Sequence, residues 1–119
     1  MQWGRPGAAC WAECDSRDPG TARRFYEAVH GWTAVESEGY SVFELDGEPV
    51  AGLLQMPESV PAEAPSSWLV YFAVPDVDAT CERAVRSAGT LSVGPMSVQD
   101  SRFAVLEDPR GAVFAVLHE

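Results

Sequence analysis

Two side chains of this chain have the types and neighbours that acid–base chemistry needs. Glu13 lies in the run Cys10-Trp11-Ala12-Glu13-Cys14-Asp15, where alternation of an extended segment puts Trp11 and Glu13 on one face. An aromatic wall desolvates a carboxyl group and raises its pKa, as a general acid or base working near neutrality requires. Tyr71, within Trp68-Leu69-Val70-Tyr71-Phe72, offers a phenol that can donate to a developing oxyanion or to a ligand carbonyl. The plainer alternatives are a Glu13 bonded to a neighbouring strand or facing a subunit contact, and a Tyr71 packed with its hydroxyl satisfied. No GxSxG motif, no phosphate-cradling glycine loop and no cysteine that the sequence pairs with a histidine is present. Cys10 and Cys14 share the opposite face with Ala12, and buried, inert thiols are expected there.

The elements that must position these groups occur twice. Asp18 opens the segment DPGTARRFYEAVHG, which ends at Gly31, and Asp76 opens DVDATCERAVRSAG, which ends at Gly89 with the same length. Asp18-Pro19 is a helix start, with Asp as N-cap and Pro at the first helical position. Ala22, Phe25, Tyr26 and Val29 make an apolar stripe, and Gly31 ends the helix. The second helix starts near Asp76 and stops before Gly89. Strands are expected at Cys10–Asp15, Thr33–Glu36, Tyr40–Leu45 and Pro49–Gln55, with Asp46-Gly47 as a hairpin turn. The second half repeats them at Trp68–Val74, Leu91–Val98, Arg102–Glu107 and Ala112–Leu117, with Asp108-Pro109-Arg110-Gly111 as the last turn. Residues 57–67 are rich in Pro, Ser and Ala and read as a linker. The expectation is a single α+β domain of two βαβββ modules, at about 8–56 and 68–119. They form a curved mixed sheet with helices on the outer face, leaving the inner face for a ligand.

The totals agree. At 119 residues with 46% hydrophobic and 22% charged, the chain is one globular domain. Eighteen acidic against eight basic residues give a net charge of −10, which disfavours nucleic acid and favours cationic small molecules. No apolar run is long enough to span a bilayer and MQWGRPG lacks a leader pattern, so a cytoplasmic protein without membrane contact is expected. Three cysteines without CxxC spacing argue against a disulfide framework.

The runs RRFYEAVHGW (23–32), YFAVPDVDAT (71–80) and VLEDPRGAVFAVL (105–117) resemble the vicinal oxygen chelate superfamily of glyoxalase I, extradiol dioxygenases, fosfomycin-resistance enzymes and bleomycin-resistance proteins. Their order and spacing extend the resemblance over nearly the whole chain. The flavour is that of the actinobacterial glyoxalase-like group with a Trp in the first strand and a WxVYF-type fifth strand. The resemblance implies the fold above and a homodimer. It also implies a divalent metal held from the first and last strand of each module. Those positions carry over onto Trp11, Leu69, Ala51 and Ala115, and none is a ligand. Two residues further along the same faces stand Glu13, Tyr71, Leu53 or Gln55, and Val113 or Leu117, with no histidine among them. His30, at a helix end, is expected to cap or pack, and His118 falls on the side of its strand opposite Ala115.

No metal or other cofactor is therefore expected. The inner face is expected to be lined by Trp11, Glu13, Tyr40, Ala51, Leu53, Gln55, Leu69, Tyr71 and Ala115, with Trp32 in the core. Large aromatics beside an acid suit a planar or cationic ligand. The first reading is a metal-independent small-molecule binder resembling drug-sequestering bleomycin-resistance proteins, its ligand a secondary metabolite. The alternative is a cofactor-free isomerase, lyase or cyclase with Glu13 as acid/base and Tyr71 as oxyanion partner. A metal-dependent glyoxalase or dioxygenase comes third.

Overall fold

The computed structural model describes residues 4–37, 39–58 and 60–119. Residue 59 of the expected linker and the first three residues of MQWGRPG lie outside the described residues. The element order is β1 (Ala9–Ser16), α1 (Pro19–His30), β2 (Thr33–Ser37), β3 (Tyr40–Leu45), β4 (Glu48–Gln55), β5 (Ser67–Ala73), α2 (Val77–Arg86), β6 (Thr90–Val98), β7 (Ser101–Glu107) and β8 (Val113–His118). This is βαβββ twice, an α+β fold. The chain forms two compact units, Ala12–Leu69 and Val70–Glu119 together with the chain up to Trp11, so the division passes through β1 and β5.

In the Ala12–Leu69 unit the strands are ordered β2-β3-β4-β1. The three later strands pair antiparallel while β1 runs parallel to β4. That parallel pairing needs a crossover, which α1 supplies. Asp18 caps α1, accepting from Thr21 N at 3.2 Å and from the Thr21 hydroxyl at 2.8 Å. These bonds hold the Asp18 carboxyl below the usual carboxylate range. Gly31 ends the helix at φ 71°, a left-handed position that glycine enters without a Cβ clash. Asp46 and Gly47, at φ 53° and 81°, make the tight turn between β3 and β4.

Ala22 and Tyr26 of α1 pack on buried Cys14, Phe43, Ala51 and Leu53, with Trp32, Ala34 and Val50 closing the cluster. Trp32 therefore joins the core, as expected. The His30 ring lies 4.5 Å from Trp32 and stacks on Tyr26 at 5.9 Å. Trp68 Nε1 donates to Tyr26 Oη at 2.9 Å, fastening the start of β5 to α1. The linker is tied back by Arg17, whose guanidinium donates to the carbonyls of Pro61 and Ala64 and whose backbone N–H donates to Ser66 Oγ.

The second unit repeats the scheme with order β5-β8-β7-β6. Its core is Val77 and Cys81 of α2 against Ala104, Leu106 and Val116, with Phe114 alongside. Asp76 caps α2 by accepting from Ala79 N at 3.1 Å. The helix ends differently from α1. Ala88 takes the left-handed position at φ 70°, and Gly89 serves close approach instead, because a Cβ there would lie 2.9 Å from Glu107 O and 3.0 Å from Ala84 O. Asp108 organises the last turn, accepting from the N–H groups of Arg110 and Ala112. Cys10 is half-buried rather than deep in the core, and its thiol donates to Tyr71 O at 3.5 Å.

Candidate functional site

The register across β1, β4, β3 and β2 lays out the face of the Ala12–Leu69 sheet that turns away from α1. Glu13 pairs with Gly52, Gly52 with Val42, and Val42 with Val35. Asp15 pairs with Leu54, Leu54 with Tyr40, and Tyr40 with Ser37. Partners directly across a ladder project to the same side, so two parallel rows result. Each starts at a carboxyl group on β1 and passes over apolar or side-chain-free positions on β4. Tyr40 stands on this face.

Ala51 and Leu53 do not. Both are 2% exposed and sit in the cluster under α1, so their assignment to the ligand face is corrected. The reason is one extra residue. Phe43 pairs with Ala51 and Glu44 with Pro49, which leaves Val50 unpaired as a bulge in β4. In the matching β7–β8 hairpin the pairing is one to one, from Glu107–Val113 to Arg102–His118. Counting from the turn glycine therefore reaches Ala115 in one hairpin and slips by one in the other, and a slip of one exchanges the faces. Gly52, not Ala51, is the counterpart of Ala115. Gln55, at the exposed end of β4, donates its amide to Arg17 O at 3.3 Å, so it ties strand end to loop rather than standing free.

Glu13 is 7% exposed, although carboxylates are rarely so buried without a partner. Asp15, two residues on, has a side-chain hydrogen bond with Glu13. Residues two apart on a strand share a face, which brings the two acids together. Burial pushes the Asp15 carboxyl above the usual carboxylate range, and the bond to Glu13 works in the opposite sense. Asp15 Oδ1 is shielded from solvent and has no hydrogen-bond partner. Cys14, on the other face, has its thiol pushed up by burial first and then by the charges of Asp15 and Glu13. Asp15 was not singled out in the sequence. The available signal was the acid at Glu13 plus two, but only burial shows that the two interact.

The remaining expected residues lie on either side of the division between units. Tyr71 pairs with Ala115 across β5 and β8, with Tyr71 half-buried and Ala115 fully buried. Leu69 is buried and Trp11 half-buried. His118 stands on the α2 side of β8, opposite Ala115 as expected, and its Nδ1 accepts from Val77 N at 2.9 Å.

The superfamily's metal can be tested against the corrected register. The four positions hold Trp11, Leu69, Gly52 and Ala115, none of which carries a carboxylate, imidazole or thiolate. The donor set does not fit a resident divalent ion. Among the described residues no group of three or more His, Cys, Asp and Glu gathers to hold one.

Paired βαβββ modules of this kind define the glyoxalase/bleomycin-resistance/dioxygenase fold class. A member of that superfamily from Vibrio splendidus 12B01 superposes with a TM-score of 0.63 at 16% identity, covering 92% of this chain and 97% of its own. A single-site variant of Streptomyces coelicolor methylmalonyl-CoA epimerase does so at 0.66 and 17%, covering 95% and 94%. The chain belongs to the glyoxalase-like domain family, which matches residues 11–117. It is similar to CFP32 of Mycobacterium tuberculosis, a glyoxylase by name, at 38% identity over 117 residues. It is also similar to the anthracycline biosynthesis protein DauV of Streptomyces sp. strain C5, at 36% over 118 residues. These alignments take in 93% and 96% of the chain but only 44% and 42% of the relatives, so the chain spans less than half their length. No helix among the described residues is long and apolar enough to cross a membrane.

Proposed function

We propose that this chain binds a planar small-molecule metabolite on the sheet face that carries Glu13, independently of a metal. The observation that supports this most directly is the placement of Glu13. It is an acid 7% exposed on the face away from α1, in register with Gly52 of β4. The apolar floor of Val42 and Leu54 suits a flat ring system, and Tyr40 adds an aromatic edge. A net charge of −10 favours neutral or cationic ligands over anionic ones. The relatives named for anthracycline biosynthesis point to fused aromatic polyketides as the first ligands to try.

The test is thermal unfolding with a panel of anthracyclines, their aglycones and smaller planar phenols, with and without a chelator. A raised Tm that survives the chelator, with the ligand recovered unchanged, supports binding. Loss of the shift in Glu13→Gln assigns it to this face. A shift of equal size in Glu13→Gln overturns the assignment.

A second reading is a cofactor-free isomerase, lyase or cyclase with Glu13 as acid/base. The hydrogen-bonded Glu13–Asp15 pair favours it, because coupled acids of unequal environment are a common source of proton-transfer groups. Conversion of the ligand by wild type but not by Glu13→Gln distinguishes this from sequestration.

A further inference from the structure

The two halves of the repeat finish the seam between helix and edge strand differently. Beneath α1 the seam holds about 170 Å³ and is spanned by an Arg23–Glu36 ion pair at 3.6 Å. Between α2 and β6 it opens to about 530 Å³ over a floor of Cys81, Val85, Leu91 and Pro95. Counted from the helix caps Asp18 and Asp76, Cys81 stands where Arg23 does, so the second unit has an apolar side chain in place of the bridging cation. Leu91 faces the helix, because its register partner Leu106 lies in the core under α2. β6 ends the strand order, so no further strand covers the open side of the groove. Val85 is left 54% exposed and Leu91 38%. We propose that this groove is an interface between two copies of the chain, which pair about a two-fold axis with α2 running antiparallel to its counterpart.

The charges on the rim select the occupant. Asp78 is already matched, accepting from Arg102 Nε at 2.7 Å and from Nη2 at 2.9 Å. Glu82 and Arg86, exposed and one turn apart, have no ion-pair or hydrogen-bond partner among the described residues. An antiparallel copy of α2 sets Glu82 against the partner's Arg86 and Arg86 against the partner's Glu82, with Val85 meeting Val85 between them. A two-fold interface requires this reciprocity, and an unrelated apolar partner has no reason to supply it. The acids Asp78 and Glu82 and the guanidinium groups of Arg86 and Arg102 cancel, in a chain of net charge −10. Two copies therefore meet here without net like-charge repulsion across the contact, while the apolar floor leaves water.

The pairing assigns a face to the homodimer that the sequence resemblance implies. It needs no ligand and does not rest on the proposed binding face.

Sedimentation velocity of the full chain, over a dilution series extending to micromolar protein, tests it. A dimer is expected in wild type. Val85→Lys should raise the dissociation constant by about tenfold or more, because it brings two ammonium groups together at the axis. Glu82→Arg and Arg86→Glu should each weaken the dimer by setting like charges face to face. The double exchange, Glu82→Arg with Arg86→Glu, keeps the pairing with its signs reversed and should restore the dimer. These exposed charges can be exchanged without touching the core, so the exchange decides the question if Val85→Lys does not fold. A monomeric wild type overturns the proposal and leaves the groove to a partner of other chemistry. A dimer indifferent to Val85→Lys or to the single charge reversals, or one that the double exchange does not restore, overturns it too.

Discussion

Glu13 of β1 and Gly52 of β4 are register partners on the face that turns away from α1. Gly52 carries no side chain and is itself buried. Gly52 does not adopt a positive φ, so a branched residue can occupy its backbone without left-handed strain. Gly52→Val should place a branched side chain beside Glu13, weakening ligand affinity by about tenfold or more. Undiminished affinity in titration calorimetry would show that the ligand lies elsewhere.

Leu53, one residue further, points the other way and belongs to the core. Leu53→Ala should cost about 2–5 kcal/mol of unfolding free energy, measured by urea denaturation, through lost burial and the cavity left beneath α1. A residue lining an open ligand face would cost far less. Unchanged stability would restore Leu53 to that face.

The pH dependence of stability should reveal Asp15. Its folded pKa is raised, so its contribution is fully present below the unfolded value of about 3.9 and is lost as pH rises through the folded value. Asp18, Asp78 and Asp108 are shifted down and act in the opposite sense, losing stability as pH falls. Asp15→Asn removes only the first contribution. The Tm of this variant relative to wild type should therefore climb as pH is raised from about 4. A difference that stays flat or declines would show that Asp15 is not held as an acid.

His118 anchors the second helix through the bond from Val77 N to Nδ1. The N–H groups of a first helical turn have no partner within the helix, so losing this acceptor leaves a donor unmet next to buried Val77. His118→Ala should cost about 1 kcal/mol, read as a Tm lower by a few degrees, with ligand affinity unchanged. An unchanged Tm would mean that water replaces the imidazole without loss.

Local chemistry carried much of the fold. Asp18 and Asp76 as caps, Gly31 as a left-handed stop and Asp46-Gly47 as a turn are choices that a few adjacent residues make on their own. They were legible because each is decided within one turn of chain. Simple alternation put Glu13 and Tyr40 on one face of the sheet. It failed at Ala51 and Leu53, where counting crosses a bulge that local sequence does not announce.

What the sequence by itself determined is the repeated βαβββ order, the α+β class and the lack of metal-ligating residue types at Trp11, Leu69 and Ala115. All of these follow from residue identity and short-range periodicity. Only the tertiary structure decided that Val50 is the extra residue, that Gly52 rather than Ala51 stands beside Glu13, and that Asp15 is joined to it. Strand register and burial are set by partners distant in the chain, and one residue of register is enough to exchange the core face for the ligand face.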